Sequence, residues 1–282
     1  MENMILLFDA GATKTRLAIS ENGKSFNEPV VFHTEKNFSE QIKKIKRIAE
    51  KELSGKKIDA IAGGISGPLN TSKMKLTSSP NLPLWVGVNI KEELEEAFSA
   101  PVFLENDSAL VGLGETLKGA GKGYKIVAYI TVSTGVGGVR IVNGRIDVKD
   151  VGFEPGHHII DFKGDKCNTC KGIGHLEEYI SGQAIEKRYG KKPYEIHDST
   201  VWDQEARLLA IGLHNVCVFW SPECVVLGGS MIVGDPAIPI KRVEHYLKKL
   251  LTIFPKIPII KKATLGDFGG LYGALIYLRQ NP

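Results

Sequence analysis

The 282-residue sequence predicts an α/β protein made of two related halves. Three observations carry this. Apolar runs of strand length alternate with longer runs of helical periodicity along the whole chain. A strand, a Gly/Thr turn and a returning strand occur twice, around residues 9 and 133. The length also exceeds what one small core needs, so two domains are expected.

In the first half, apolar runs at 4–8, 16–20 and 29–33 are separated by Gly11-Ala12-Thr13 and Glu21-Asn22-Gly23, which reads as a strand meander. Ile42, Ile45, Ile48 and Leu53 recur at helical spacing, giving a helix over 38–53. A buried strand follows at 58–65. Asn89 is a candidate cap for a helix reaching Phe98, with Glu92 and Glu93 in its first turn. Residues 102–104 read as a short strand and 107–118 as a helix. Glycines in 119–123 mark the expected link, which puts the first domain at 1–119 and the second at 120–267. The last helix, within 268–282, is expected to rejoin the first domain.

The second half restarts the pattern. Strands at 126–131 and 139–142 flank Ser133-Thr134-Gly135-Val136-Gly137-Gly138, and Asn143-Gly144 is a turn. Helices are expected over 176–189, 199–219 and 238–251, with a strand at 224–227 and a Gly-rich helix over 268–279.

Composition excludes several classes. The chain is 43% hydrophobic and 24% charged, with a mean hydropathy of -0.06, which excludes wholesale disorder. Its longest apolar run, 126–139, is broken by Ser133, Thr134 and glycines, so no bilayer span is expected. Glu2 stands where a signal peptide would be basic, and a cytoplasmic protein with no membrane partner is expected. Net charge is +4, and the densest basic stretch, 43–51, alternates with Glu50 and Glu52 as a solvated helix face does. Nucleic acid is therefore not an expected partner. Cys217 and Cys224 lie in apolar runs and read as core residues.

Two loops carry phosphate chemistry. Asp9, Gly11, Thr13, Lys14 and Thr15 combine a carboxylate, a tight turn, hydroxyls and a cation. Such a turn aims N–H groups and hydroxyls at phosphate oxygens, while the carboxylate of Asp9 holds a hydrated Mg²⁺. Thr134, Gly135 and Gly137 repeat the arrangement in the second half. Asp107, between a strand and a helix, is by its position equally a helix cap or a functional carboxylate.

Taken together, Asp9-x-Gly-x-Thr-Lys, Glu105-Asn106-Asp107, Ser133-Thr134-Gly135-x-Gly137-Gly138 and Glu154-x-Gly156-His157 resemble the ROK family of sugar kinases and sugar-responsive repressors. The likeness extends through Pro80-Asn81-Leu82 and Gly228-Gly229 and covers essentially the whole chain. It implies two actin-like, ribonuclease H-like α/β domains with an interdomain cleft for ATP and sugar. It implies Asp107 as catalytic base and Gly67, Asn81, Asn106, Asp107, Glu154, His157 and Glu177 as sugar ligands. Gly228 and Gly229 become the nucleotide-side turn. The implied reaction is transfer of the γ-phosphoryl group of Mg²⁺-ATP to the 6-hydroxyl of a hexose, with glucose the first candidate and a homodimer expected. N-acetylmannosamine or another aminosugar is the alternative substrate, and a non-catalytic sugar-sensing regulator the alternative class. A repressor needs a DNA-binding segment ahead of the sugar domain; with Asp9 already in the phosphate loop, a repressor is not expected. Ser66 stands where the family has proline, and Pro155 where it has an aliphatic residue, which bears on the sugar chosen.

The last motif is His157, Cys167, Cys170 and His175. Two thiolates and two imidazoles suit tetrahedral Zn²⁺ and leave no open position for water, so a structural zinc is expected. The family pattern is Cys-x-Cys-Gly-x-x-Gly-Cys after the Gly-His histidine. Here one residue is inserted between the first two cysteines, Lys171 replaces glycine, and His175 replaces the third cysteine.

Overall fold

The structure is a computed structural model and describes residues 4–53, 55–79, 81–167 and 170–281. Glu2 and Pro80, both used in the sequence reading, lie outside the described residues. The chain divides into two compact units. The first comprises residues 1–114, 148–152 and 265–282, and the second 115–147 and 153–264.

In the first unit, β1 (Ile5–Ala10) pairs antiparallel with β2 (Lys14–Ser20), which pairs with β3 (Val30–His33). α1 (Phe38–Leu53) leads to β4 (Ala60–Ile65), α2 (Ile90–Phe98), β5 (Val102–Asn106) and α3 (Asp107–Leu117). The sheet order is β3-β2-β1-β4-β5, with β1, β4 and β5 parallel, so the carboxyl ends of these three strands lie together. One face packs on α1 and α2 through Leu6, Phe8, Ile45 and Leu94. The other packs on the C-terminal helix through Leu7, Leu110, Leu271 and Leu275. As expected, Asn89 accepts from the Glu92 amide and caps α2.

The second unit begins inside α3 and holds β6 (Ile126–Val132), β7 (Val136–Val142) and β8 (Arg145–Ile146). Asn143 and Gly144 both have positive φ, the geometry that a two-residue hairpin between β7 and β8 requires. α4 (Glu177–Ile180), α5 (Gly182–Tyr189) and α6 (Ser199–Trp220) precede β9 (Cys224–Gly228), α7 (Ser230–Val233), α8 (Ile240–Leu250) and β10 (Ile259–Lys262). The sheet order is β10-β9-β6-β7-β8. α6 and α8 cover it through Leu209, Leu213, Val243 and Leu247. α9 (Gly269–Gln280) belongs to the first unit.

Several elements differ from the sequence expectation. The helix read over 176–189 is two helices, because Ser181 is extended (φ -68, ψ 156) and its side chain caps α5 at Ala184. The strands β8 and β10 were not expected; they are two and four residues long. Residues 119–123, read as a link, lie within the second unit as a packed turn, where the Glu115 carboxylate accepts from Ala120 N (2.9 Å) and Thr264 N (2.8 Å). Among the described residues no helix is long and apolar enough to cross a membrane. Cys217 and Cys224 are buried, and burial pushes their thiols up to about 12 and about 11.

Candidate active site

In the first unit the site forms at the carboxyl ends of β1, β4 and β5. Asp9 is buried at the end of β1, and two glycines let other backbone approach it. A Cβ on Gly64 would meet Asp107 Cα at 3.1 Å and Asp9 Oδ1 at 3.5 Å, and one on Gly270 of α9 would meet Asp9 Oδ2 at 2.7 Å. The β1–β2 turn closes with Gly11 N–H donating to Lys14 O (3.1 Å), and Thr13 and Lys14 are exposed. Thr15 departs from the expected phosphate set. It is fully buried, its hydroxyl accepting from Gln41 Nε2 (2.9 Å) and bonded to Thr34 Oγ1 (2.9 Å), so it braces β2 instead of facing the turn.

Asn106 and Asp107 divide two jobs that sequence alone leaves open. Asn106 Oδ1 accepts from Ala109 N (3.1 Å), the hydrogen bond a helix cap makes. Asn106 Nδ2 donates to Gly67 O (3.1 Å), and Gly67 has φ +122 with Ser78 O where a Cβ would stand. The cap is thus Asn106. Asp107 is left with hydrogen bonds from Ser108 and Ser66. Burial raises its carboxyl above the usual range despite those bonds. Asp9 is pushed up to about 7 by burial and by the charge of Asp107, which outweigh Arg16. Asp9 is buried and Asp107 half-buried, and a pair of carboxylates with raised proton affinity is a donor set that a hydrated Mg²⁺ ion fits. Asn81 is exposed, at the approach to the 3-10 turn Pro83–Trp85.

In the second unit, the turn between β6 and β7 holds Thr134 exposed and Gly135 half-buried, and Gly137, at the start of β7, is half-buried too. Val136 N–H donates to Glu177 Oε2 (2.7 Å). The Gly228-Gly229 turn lies beside this loop, because β9 runs parallel to β6 and Ser230 Oγ is 3.3 Å from Ser133 Oγ. Gly229 has φ +84, and a Cβ there would collide with Val132 O, so this turn demands glycine for structural reasons as well. Glu154 precedes the 3-10 turn Pro155–His157. Pro155 lies against Gly138 of β7, and Gly156 against Val136 O. His158 is half-buried, and its imidazole is pushed down to about 4 by burial and by the neighbouring His175.

The four expected zinc ligands come together, with one donor atom from each within 4.8 Å of all the others. His157 Nδ1 and His175 Nδ1 are 3.2 Å apart. Cys170 Sγ lies 3.6 Å from His175 Nδ1 and 3.9 Å from His157 Nδ1, and Cys167 Sγ lies 3.9 Å from His157 Nδ1. A tetrahedral zinc would set about 3.3 Å between nitrogens and about 3.6 Å between nitrogen and sulfur. The donor set therefore fits a tetrahedral metal with both imidazoles turned Nδ1 inward.

The family model described as ROK family matches residues 6–281. The chain belongs to the ROK family. The ROK hexokinase structure from Thermus thermophilus superposes with a TM-score of 0.83 at 29% identity, covering 99% of both chains. A glucokinase of Aeropyrum pernix is 25% identical over 99% of this chain and 97% of its own. The xylose repressor of Bacillus spizizenii is 31% identical over 62% of this chain but only 50% of its own length. The fold is accordingly the two-domain, actin-like α/β fold of the ROK sugar kinases.

Against the ROK pattern, Lys171 is informative. It takes the family's glycine position and has φ +65, the left-handed region that glycine occupies freely. Sequence reading missed three further residues near the first-unit site. Asp267 faces Arg16 (3.3 Å), the cation that also faces Asp9 (3.8 Å); Leu265-Gly266-Asp267 before two glycines was the available signal. Lys73 (2.8 Å) and Lys149 (2.9 Å) both pair with the buried Glu105 directly ahead of Asn106, and neither lies in a recognisable motif.

Proposed function

We propose that this chain is an ATP-dependent sugar kinase that phosphorylates the primary 6-hydroxyl of a hexose, with glucose the first candidate. The observation that carries the reading is the split between Asn106 and Asp107. Asn106 caps α3, and the half-buried Asp107 carboxylate is held near Asp9 with its proton affinity raised. A general base needs that raised affinity to take a hydroxyl proton near neutral pH. The likeness to a ROK hexokinase and a glucokinase, at 29% and 25% identity over nearly the full chain, points to the same class.

In this reading Asp107 orients the 6-hydroxyl and accepts its proton as the oxygen bonds to the γ-phosphorus and the bond to the ADP oxygen breaks. Asp9 holds Mg²⁺ through water, and the metal neutralises phosphate charge. Gly11, Thr13 and Lys14 of the first unit, and Thr134, Gly135 and Gly137 of the second, receive phosphate oxygens. Gly228 and Gly229 admit the nucleoside. Gly67, Asn81, Asn106, Glu154, His157 and Glu177 read the sugar hydroxyls, with His157 offering Nε2 because Nδ1 faces the metal cluster. His157, Cys167, Cys170 and His175 hold a structural Zn²⁺ that fixes the loop between Glu154 and Glu177. Enzyme-coupled ADP release across glucose, mannose, fructose, N-acetylmannosamine and glucosamine tests this. Sugar-dependent release with a preferred hexose is expected. Sugar binding with no ADP release from any of them would favour the regulator class.

A further inference from the structure

The second phosphate loop, residues 133–136, is gripped at both ends by one short segment. At one end Val136 N–H donates to Glu177 Oε2 (2.7 Å). At the other, Gly182 N–H donates to Ser133 O (2.7 Å). The break at Ser181 makes the second contact possible, since the first amides of a helix have no partner within it. Gly135 lies directly on the carboxylate: a Cβ there would be 2.6 Å from Glu177 Oε2 and 4.0 Å from Oε1. Behind α4, Arg188 donates to Tyr179 O (2.6 Å) and to the buried Glu205 (2.7 Å), and Tyr179 OH donates to Asp161 (3.0 Å). The segment that carries Glu177 is thereby fixed from the far side.

We propose that Glu177 is a positioning residue for the phosphate loop in addition to a sugar contact. One oxygen, Oε2, holds the Val136 amide and sets Thr134 and Gly135 for phosphate before sugar is present. The other, Oε1, is left for a sugar hydroxyl. One carboxylate then serves both substrates, so that nucleotide affinity depends on a side chain that does not touch the nucleotide. This rests on the kinase reading above.

The test is calorimetric binding of Mg²⁺-ADP with no sugar in solution. A hydrogen bond from an amide to a carboxylate justifies about a tenfold weakening on Glu177→Ala. Glu177→Gln keeps an acceptor oxygen for the Val136 amide and should stay within about twofold of wild type. Gly135→Ala approaches the same contact from the loop side and leaves Glu177 in place. It should weaken binding in the wild-type background and add nothing in Glu177→Ala, where the Cβ has room. Wild-type affinity in Glu177→Ala, or an equal cost of Gly135→Ala in both backgrounds, overturns the inference alone. A wild-type chain that binds no ADP overturns the kinase reading, and this inference with it.

Discussion

Asn106 and Asp107 are adjacent, both are good cap residues, and one residue of register decides which does the capping. The structure gives the cap to Asn106, so substitutions at the two positions should separate. Asn106→Ala should lower stability by about 1 kcal/mol, measured by urea unfolding. Asp107→Ala should not show that loss. The contact from Ser66 favours the charged form of Asp107, so Ser66→Ala should move the acidic limb of the kcat profile toward higher pH. An unmoved limb would mean that another group sets it. Asp9 gives a stability test of opposite sign to most carboxylates. Its folded value, about 7, lies above the ordinary 3.8, so its favourable contribution is complete below about 3.8 and lost as pH rises through 7. Asp9→Asn should therefore raise the Tm of metal-free protein at pH 8 and gain little near pH 4. Much of the site was legible at this scale, because Asp9, Asp107 and the Gly/Thr turns sit in recognisable patterns. Thr15 was not: a hydroxyl in a turn motif looks the same whether it faces out or bonds Gln41 beneath the sheet.

Among the elements, long periodic segments were legible and short or kinked ones were not. α1 and α6 present an unbroken apolar face over 16 and 22 residues, which fixes them from sequence. The α4–α5 break has no such signal, because a single Gly in an otherwise helical run is tolerated at a modest cost. Here the break supplies an amide to Ser133 O. β10 is an edge strand beside β9, and its four residues, Ile259–Lys262, are too few to show a period. The cysteine–histidine loop was legible in its ligands but not in its backbone. Purified protein should hold about one Zn²⁺ per chain, and Cys170→Ser should lose most of it, read by metal analysis. Metal content unaffected by that change would remove the zinc site. Lys171 sits in the left-handed region, which costs a side-chain-bearing residue about 1 kcal/mol. Lys171→Gly should accordingly raise the Tm of the zinc-loaded protein.

At the scale of the molecule, the chain passes between its two units after residues 114, 147, 152 and 264. The brief return at 148–152 is anchored by Lys149, which pairs with Glu105 and shares it with Lys73. Burial would raise Glu105, but the two lysines outweigh it and hold its carboxyl below the usual range. Its contribution is thus present above the ordinary carboxylate range and lost as pH falls through the lowered value. Glu105→Ala leaves Lys149 buried without its partner and should cost about 3 kcal/mol at pH 7, the low end for a broken buried pair because Lys73 is partly solvated. The repeat of strand, Gly/Thr turn and strand made the two-unit plan readable, while the return at 148–152 carried no sequence mark of its own. In the proposed reaction Asp107 takes the proton of a sugar hydroxyl during phosphoryl transfer. The most direct test of that role is ADP release by Asp107→Asn with the preferred sugar, alongside sugar binding by calorimetry. Sugar affinity should stay close to wild type while turnover falls by about 10²–10⁴-fold. Near-normal turnover in Asp107→Asn would contradict that role.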